Sequence, residues 1–457
     1  MRDRVAVAGV ILSLVFLSAV GGSMAAILNV FPFPLTFDAY RGVVALYQAA
    51  TAGDDPTAGN AWAPARDDTP GVVAHAPGLT AGGYTLFTSG VGPSAWLVDM
   101  DGSLRHSWHL PVAAVWDEAW DARSPHAGPP PPERVHWRRA HVFPNGDLLA
   151  IYYVAGRTPW GLGLVKVDRD SRLLWSYPGA VHHDLEVAPD GRIFTLTQEI
   201  LTEPRPGFEA LGAPLIVDHV TILSPDGAEV ERIPLIDAFA DSPFAEALVL
   251  LQSDRTSLAA GDVMHANAID VLDRAEAAVL PFAEPGQILL SLRSIDALAL
   301  LDPRQRRITW MMTGSWRRQH DPDILPDGRI LLFDNRGGLA GGATSRVVEI
   351  DPATGGVVWA YDGEPDRPLW SAIRSAQERL ANGNTLITES DAGRILEVTR
   401  TGAIAWDFRS PFRRTGRDGA PYTAVLEFAQ RIDPARLDFP LAEPGALAFP
   451  IAGSALP

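Results

Sequence analysis

From Tyr84 onwards, short runs of β-branched and aromatic residues alternate with polar turns, many of which contain Asn-Gly or Asp-Gly. Such runs form strands, and these turns join antiparallel strands into hairpins. One half-unit of the pattern is strand, Pro-Asn/Asp-Gly turn, strand; it recurs, once with Ala for Pro, at residues 142–149, 185–195, 324–333 and 379–388. The other is an aliphatic strand, a turn that mostly contains Asp, and a strand that usually closes in Trp; it recurs at residues 97–108, 164–175, 299–310, 347–359 and 395–406.

Joined together, the two half-units make a four-stranded antiparallel unit, and about six units follow one another at a spacing of about 40 to 60 residues. The repeat predicts an all-β protein, a six-bladed β-propeller of four-stranded antiparallel blades. The first unit lacks its opening strand, and residues 422–431 are a candidate to return and close the ring. A pair of β-sandwiches or a parallel β-helix is the alternative, but hairpin turns disfavour the β-helix because they join antiparallel strands.

The N-terminus carries a hydrophobic segment that the repeats do not include. Arg2 and Arg4 precede residues 5–27, which are uncharged and mostly apolar, and this run can span about 30 Å of hydrocarbon as a helix. The arginines would stay in the cytoplasm and the bulk of the chain would lie outside. A cleaved signal peptide is the other interpretation, since residues 22–26 are mostly small. Both interpretations export the rest of the chain.

We therefore expect four parts. They are a transmembrane anchor or signal segment at 1–28, a membrane-proximal helix near 40–50 with a linker at 29–82, the propeller at 83–431, and a Pro/Ala-rich tail at 432–457. The expected location is the cell membrane, crossed once, with the propeller on the periplasmic or extracellular side. The oligomeric state is not indicated.

Composition excludes several classes of site and partner. The chain has no cysteine, which rules out disulfides, thiolate metal sites, iron–sulfur clusters and cysteine nucleophiles. Its formal net charge of -17, without a basic run to offset it, repels phosphate backbones, so we expect no nucleic-acid partner.

Three histidines share one position in the repeat. His183 precedes the proline of its turn by the same number of residues as His320 precedes the proline of its own, and His265 begins a strand of the same kind. In a propeller the first strand of each blade is innermost, so side chains at equal repeat positions converge on the axis. Arg138 and Ser375 occupy the same position in two other repeats. We expect these five residues to surround one central pocket.

Two further histidines, His141 and His182, lie close to the shared repeat position, and the direction of their side chains depends on the strand register. His141 falls three residues later in its repeat, so strand alternation places it on the opposite face unless a bulge intervenes. His182 precedes His183 and is an alternative inward-facing member of that pair. Asp184 and Asp321, each directly after a histidine, are interpreted as turn or supporting residues.

An arginine accompanies the histidines. Residues 286–294 form the predicted second strand of the third unit, which places Arg293 near one end of the channel. A planar guanidinium among imidazoles predicts a pocket for a tetrahedral oxyanion. Three histidines with an open position can also hold zinc. We expect no metal, because no carboxylate recurs at that position and an inward arginine repels a cation.

The ordered set of motifs resembles the bacterial arylsulfotransferase family. The matching pieces are His182-His183-Asp184 before a Pro-Asp-Gly turn, Met264-His265-Ala266-Asn267, Ser291-Leu292-Arg293-Ser294 and Gln319-His320-Asp321. The resemblance implies an exported six-bladed propeller that moves a sulfuryl group from a phenolic sulfate ester to a phenol, without a nucleotide donor, cofactor or metal. Unlike the family pattern, the chain before Tyr84 is short and Pro-rich, and it lacks cysteine for the disulfide that some members carry.

The resemblance also implies residue roles. His320 would be the nucleophile that is transiently sulfated, and His183, His265 and Arg293 would hold the sulfate oxygens. Asn267 would line the pocket, and His182, Arg138 and Ser375 are further candidates to contact substrate. The alternative function is a non-catalytic envelope scaffold, because residues 351–359 resemble a quinoprotein-type repeat. The quinone-dependent dehydrogenases with such repeats need a carboxylate-rich calcium site.

Overall fold

The computed structural model of the protein describes residues 12–24, 61–67, 69–124, 128–156, 160–248, 261–336 and 343–450. The chain divides into two compact units, Met1–Ala58 and Gly59–Pro457. In the first unit, residues 12–24 form an exposed helix, and the predicted helix near 40–50 lies outside the described residues. Over the described ranges, no helix is both long and apolar enough to cross a membrane.

The second unit is built from antiparallel sheets. Six of them have four or five strands in the described part of the chain, and we number them by position around the molecule. Sheet 1 contains Leu426–Ile432, Tyr84–Ser89, Ser94–Val98 and Leu104–His109; sheet 2 contains Val135–Val142, Leu148–Val154, Gly161–Val167 and Leu173–Tyr177; sheet 3 contains Val181–Val187, Ile193–Leu201, Leu215–Leu223 and Glu229–Pro234.

The other three sheets continue the same plan. Sheet 4 contains Ala266–Val271, Ile288–Leu292, Ala297–Asp302 and Arg307–Thr313; sheet 5 contains His320–Ile324, Ile330–Asp334, Arg346–Ile350 and Val357–Tyr361; sheet 6 contains Ala376–Arg379, Thr385–Glu389, Arg394–Val398, Ile404–Arg409 and Gly71–His75. Smaller sheets join Trp62–Pro64 to Pro421–Ala424 and Arg413–Thr415, and Gly363–Glu364 to Arg367–Pro368. Short α-helices lie at Glu118–Arg123, Leu235–Ala240 and Arg274–Val279.

The first strands of the six sheets contact one another in a closed cycle, from sheet 1 through sheet 6 and back to sheet 1. The prediction of an all-β fold with four-stranded antiparallel sheets is therefore confirmed, and the arrangement is propeller-like. The strand Leu426–Ile432 closes the cycle, because it pairs antiparallel with Tyr84–Ser89. The expectation that residues near 422–431 supply the missing strand is thus also confirmed.

The described residues from 61 to 75 include two strands in the stretch that the sequence analysis treated as a linker. Gly71–His75 adds a fifth strand to sheet 6 by pairing with Ile404–Arg409, and Trp62–Pro64 pairs with Pro421–Ala424. The sequence analysis did not predict either strand, because both are short and stand among Ala, Pro, Gly and Asp residues that are depleted in strands.

Tryptophans on the outer strands of sheets 1 and 6 donate hydrogen bonds to the neighbouring sheet. The indole N–H of Trp108 in sheet 1 donates to the carbonyl of Gly146 in sheet 2, and that of Trp406 in sheet 6 donates to Met100 in sheet 1. A large apolar ring with a single donor can fill the space between two sheets and still satisfy its N–H. The repeated tryptophans therefore pack the interfaces between sheets, as expected.

Carboxylates accept hydrogen bonds from backbone N–H groups at the inner edge of the ring. The first strand of each sheet is an edge strand, and its buried N–H groups need acceptors. Acidic side chains on one first strand accept N–H groups of the next first strand; the pairs are Asp184 with Ile269, Glu186 with Val271, Asp321 with Gln377, and Glu378 with Arg431. This pairing explains why acidic residues face the interior of a strongly packed ring.

Candidate active site

Three imidazoles meet at the centre of the cycle, each from a different sheet. The ring centroid of His183 lies 5.0 Å from that of His265 and 6.4 Å from that of His320. His183 lies in the first strand of sheet 3, His265 directly precedes the first strand of sheet 4, and His320 begins the first strand of sheet 5. The structure thus brings together the three histidines that share a repeat position.

Local backbone irregularities aim these side chains inward. The pairing register shifts between His182 and Leu185, and again between His320 and Asp323. His183 and His265 have φ angles of 56° and 52°, a left-handed conformation that is uncommon for residues other than glycine. Such conformations cost about 1–3 kcal/mol each, and they persist where the surrounding structure holds them. The bulges re-aim side chains that a regular strand would point elsewhere.

His183, rather than His182, faces the pocket. His183 is among the residues that line it. His182 is fully buried behind His183, with the two Nδ1 atoms 2.8 Å apart and its Nε2 3.5 Å from Oδ1 of Asp218. Burial is the largest cause that lowers the pKa of His182, to about 3. His182 therefore supports His183 and does not reach the pocket surface, contrary to its place among the substrate-contact candidates.

The pocket encloses about 280 Å³ of empty volume, part of it open to solvent. Five of the predicted residues line it: Arg138, His183, Asn267, His320 and Ser375. Six others that the sequence analysis did not place there also line it: Arg139, Asp184, Asp321, Ala376, Glu427 and Phe428. His141 is not among the lining residues, and its ring packs 4.9 Å from that of Phe143.

His265 and Arg293 lie beside this pocket. Nδ1 of His265 is 2.5 Å from Oδ2 of Asp262, a carboxylate that fixes the orientation of the ring. Arg293 follows the second strand of sheet 4, is half-buried, and donates its backbone N–H to the carbonyl of His265 at 3.1 Å. Its positive charge lowers the pKa of both His265 and His320, in addition to the larger effect of burial.

The histidines that line the pocket are neutral at neutral pH. Burial, followed by the charges of Arg138 and Arg293, lowers the pKa of His320 well below its ordinary value of 6.5. Burial and Arg138 act on His183 in the same direction. A neutral imidazole keeps a nitrogen lone pair, so each of these rings can act as a base or as a nucleophile.

Arg138 and Arg374 share one buried carboxylate, that of Glu427. Glu427, on the ring-closing strand, forms ion pairs with Arg138 and Arg374, and its Oε1 is 2.9 Å from Nε2 of His136. Burial opposes ionisation of Glu427, but the two guanidiniums outweigh it and hold the pKa of this carboxyl well below its usual range. Arg374 also pairs with Asp391, with its Nη1 3.7 Å from Oδ1, and Arg138 is the arginine of this group that lines the pocket.

Arg139 forms the other charged feature of the pocket. Its Nε is 2.8 Å from Oδ1 of Asp184, its Nη1 is 2.8 Å from Oδ1 of Asp321, and its guanidinium stacks on the ring of Phe428. A register shift between Trp137 and Ala140 lets the consecutive Arg138 and Arg139 both face the pocket. Asp184 and Asp321, which the sequence analysis interpreted as turn or supporting residues, thus share Arg139 as a partner that the sequence did not reveal.

Four polar residues near the histidines were missed from the sequence: Arg139, Asp262, Asn335 and Glu427. None of them recurs at a shared repeat position, and each meets its partner through a contact between sheets or across a loop. Trp160 was missed for the same reason; its ring centroid lies 4.9 Å from that of His265 and 5.5 Å from that of His183. Within the described ranges, no group of three His, Asp or Glu side chains is arranged to hold a metal ion.

A protein-family model described as arylsulfotransferase (ASST) matches residues 140–411, which is more than half of the chain. This range contains His183, His265, Arg293 and His320. A search of curated proteins finds no significant match.

Several solved structures are similar in fold. A protein of unknown function from Bacteroides caccae is 12% identical, with 72% of this chain and 94% of that chain covered and a TM-score of 0.41. A streptogramin B lyase is 14% identical, with coverages of 76% and 91% and a TM-score of 0.36. The WD40 β-propeller domain of Doa1 is 12% identical, with coverages of 79% and 97% and a TM-score of 0.38. All three TM-scores are low, so the description of the fold rests on the strand pairing itself.

Proposed function

Because the chain belongs to the arylsulfotransferase family, we propose that it moves a sulfuryl group from a phenolic sulfate ester to a phenol, through a sulfated histidine and without a nucleotide donor. The observation that carries the proposal is a pocket lined by His183, His320 and Arg138, with the ring of His265 5.0 Å from that of His183 and the charge of Arg293 acting on His320 from beside the pocket. No cofactor or metal enters the proposed reaction.

The first half-reaction uses His320 as the nucleophile. The lone pair of one ring nitrogen attacks sulfur, an N–S bond forms, and the S–O bond to the aryl group breaks in line with it. The phenolate leaves with the electron pair of that bond. Like phosphoryl transfer, this step mainly needs positioning and stabilisation of charge on the equatorial oxygens. Arg138 and Arg293 supply positive charge at a largely buried site, where fixed charges stabilise a transition state better than they do in bulk water.

The second half-reaction regenerates the histidine. The oxygen of an acceptor phenol attacks sulfur, an O–S bond forms, and the N–S bond breaks to return a neutral His320. The phenolic proton passes to a neighbouring neutral imidazole, His183 or His265, which then releases it to solvent or to the next phenolate. Donor and acceptor therefore use the same pocket in turn, which is ping-pong kinetics.

We also propose a setting for this chemistry. The six sheets of the cycle are the six blades of a propeller, and the axis-facing ends of their first strands form the site. The N-terminal segment up to residue 28 anchors the protein in the membrane or directs its export, and the propeller faces the periplasm or the exterior. The charge of Arg2 and Arg4 before the apolar run supports this orientation.

The alternative function, a non-catalytic scaffold, is less well supported by the site. A scaffold has no need for buried histidines held in left-handed backbone conformations beside the buried Arg138, since such conformations and buried charges cost stability. Such strain is typical of a site that performs chemistry.

Replacing the proposed nucleophile tests the function. We expect His320→Ala to abolish transfer from 4-nitrophenyl sulfate to a phenol, while circular dichroism and thermal unfolding show a folded protein. His141→Ala is the matched control, because His141 also lies on a first strand but packs against Phe143 outside the pocket. Transfer that survives in His320→Ala would refute the assigned role.

Mass measurement tests the intermediate directly. Incubation of the wild-type protein with an aryl sulfate alone is expected to add one sulfuryl group, located by peptide mapping to the peptide that contains His320. An intact mass that never changes, together with no transfer, would favour the scaffold.

A further inference from the structure

Asn335 lies directly after the strand Ile330–Asp334 and is completely buried beside His320. Its side-chain Nδ2 donates to the carbonyl of Ser371 at 3.0 Å and to the carbonyl of Arg374 at 2.9 Å. Carbonyl oxygens only accept hydrogen bonds, so these two partners fix which end of the amide is nitrogen. The amide oxygen must therefore point the other way.

That oxygen points at His320. Oδ1 of Asn335 is 2.7 Å from Nδ1 of His320, and the backbone carbonyl of Arg318 is 3.0 Å from the same nitrogen. Arg318 has a left-handed backbone with φ of 53°, a conformation that a residue other than glycine adopts only when its surroundings hold it. Both partners of Nδ1 are acceptors, so Nδ1 is the nitrogen that carries the proton.

The other ring nitrogen is left available. Nε2 of His320 has no hydrogen-bond partner among the residues that the structure describes, and His320 lines the central pocket. With the proton on Nδ1, the lone pair of the neutral ring resides on Nε2. We propose that Asn335 is a positioning residue that holds His320 in its Nδ1-protonated form, so that Nε2 is the atom that attacks sulfur. This inference rests on the proposed function, because it assigns the nucleophilic atom of that reaction.

The choice of an amide over a carboxylate has a chemical reason. When Nε2 bonds to sulfur, the ring gains positive charge that is shared with Nδ1–H, and the two acceptors stabilise it. A carboxylate at position 335 would stabilise the cation further, but it would also favour a protonated His320 before any substrate arrives. A protonated ring has no lone pair. His265 has such a partner, because the carboxylate of Asp262 faces its Nδ1 and acts to raise the pKa of His265 against the larger effect of burial.

The charges that face His320 favour the neutral form of its ring, and the uncharged amide of Asn335 leaves that form in place. Arg138 and Arg293 are the cations whose charges bear on its ring, and the imidazoles of His265 and His183 stand beside it. None of these groups favours a proton on Nε2. The hydrogen bond from Nδ1 to Asn335 therefore orients the ring without removing its nucleophilic form.

The tautomer can be measured without any substrate. In full-length wild-type protein labelled with ¹⁵N-histidine, long-range proton–nitrogen spectra distinguish the two neutral tautomers, and the His320 signals are identified by their loss in His320→Gln. We expect a protonated Nδ1 and a bare Nε2. A protonated Nε2 in the wild-type protein would overturn the inference, whatever the activity.

Kinetics test the consequence of the contact. We expect Asn335→Ala to lower kcat for aryl sulfate transfer by about 10- to 100-fold with little change in KM, by analogy with the partners that orient metal-binding histidines. Ser345→Ala is the matched control, because the Ser345 hydroxyl also donates to the carbonyl of Ser371 but does not touch His320. Equal losses in the two variants would show that Asn335 acts only as a backbone anchor.

A third variant changes the charge of the partner. In Asn335→Asp we expect the acid limb of the pH–rate profile to move to higher pH, with activity largely restored above it. An unmoved acid limb in a folded variant would count against the contact. If wild-type protein transfers no sulfuryl group, the proposed function fails while the tautomer measurement still stands; if it transfers normally but Asn335→Ala matches Ser345→Ala, only this inference fails.

Discussion

Arg139 and Asp321 form an ion pair across the ring, with Nη1 of the arginine 2.8 Å from Oδ1 of the aspartate. They belong to the first strands of sheets 2 and 5, which stand opposite each other in the cycle of six. The same guanidinium also contacts Asp184 of sheet 3. One side chain thus joins three sheets at the axis.

We expect Arg139→Met to destabilise the protein by about 3–5 kcal/mol, because it leaves two buried carboxylates without their shared cation. Chemical denaturation of the purified variant measures the loss. Arg192→Met is the control, since Arg192 pairs with Asp190 at the surface, where both side chains are about half exposed. The control should change stability by less than about 0.5 kcal/mol. Similar losses in the two variants would contradict the cross-ring role.

Arg293 should affect both the rate and its pH dependence. Removing a charge that stabilises the transition state typically costs about 100- to 1,000-fold in kcat, so we expect Arg293→Met to fall in that range. Burial and then the charges of Arg138 and Arg293 lower the pKa of His320, so losing one cation raises that pKa. The acid limb of the pH–rate profile should therefore move to higher pH in the variant.

The control for this prediction is Arg317→Met. Arg317 is close to His320 in the sequence, but its side chain is 51% exposed and its Nε lies 3.6 Å from Oδ2 of Asp296. We expect near wild-type kinetics and an unchanged pH profile. If the pH–rate profile of Arg293→Met is the same as that of the wild-type protein, the charge of Arg293 does not act on His320.

Asp218 should make stability depend on pH. Burial, and then the nearby charge of Asp262, raise the pKa of Asp218 from its ordinary value of 3.8 to about 8. Between these values the folded state holds a proton that the unfolded state has released, so this contribution to stability is present at low pH and is lost as pH rises towards 8. In Asp218→Asn the position cannot titrate.

The measurement is the difference in urea midpoint between the wild-type protein and Asp218→Asn from pH 4 to pH 8. We expect the wild-type protein to lose stability relative to the variant as pH rises. Asp190→Asn, at an exposed turn, should show no such trend over this range. A difference that stays constant for Asp218→Asn would contradict the raised pKa.

The sequence predicted those parts of the site that repeat. His183 and His320 stand at the same distance before a Pro-Asp-Gly turn, and this equality predicted that they meet at the axis, as they do in the structure. The hairpin turns and closing tryptophans likewise predicted the four-stranded sheets. Repetition carries this information because equal positions in equivalent units lie at equal distances from the axis.

Features that occur once could not be predicted in this way. The bulge after Trp137 turns Arg139 inward, and no residue in the sequence marks a bulge of this kind. Asn335 reaches His320 from the end of a neighbouring strand, and Glu427 arrives with the strand that closes the ring from the far end of the chain. The choice between His182 and His183 also depends on a bulge, so alternation alone left it open.

The closing strand Leu426–Ile432 makes the site depend on residues that lie far from it in the sequence. Glu427, which holds Arg138 in the pocket wall, is part of that strand. The strand that closes the ring therefore also brings in the carboxylate that positions Arg138. During folding, the earlier sheets can form from local hairpins, but the anion site has no complete wall until this last segment docks. A chain cut just before residue 426 would keep every histidine of the site and lose the frame that makes them meet.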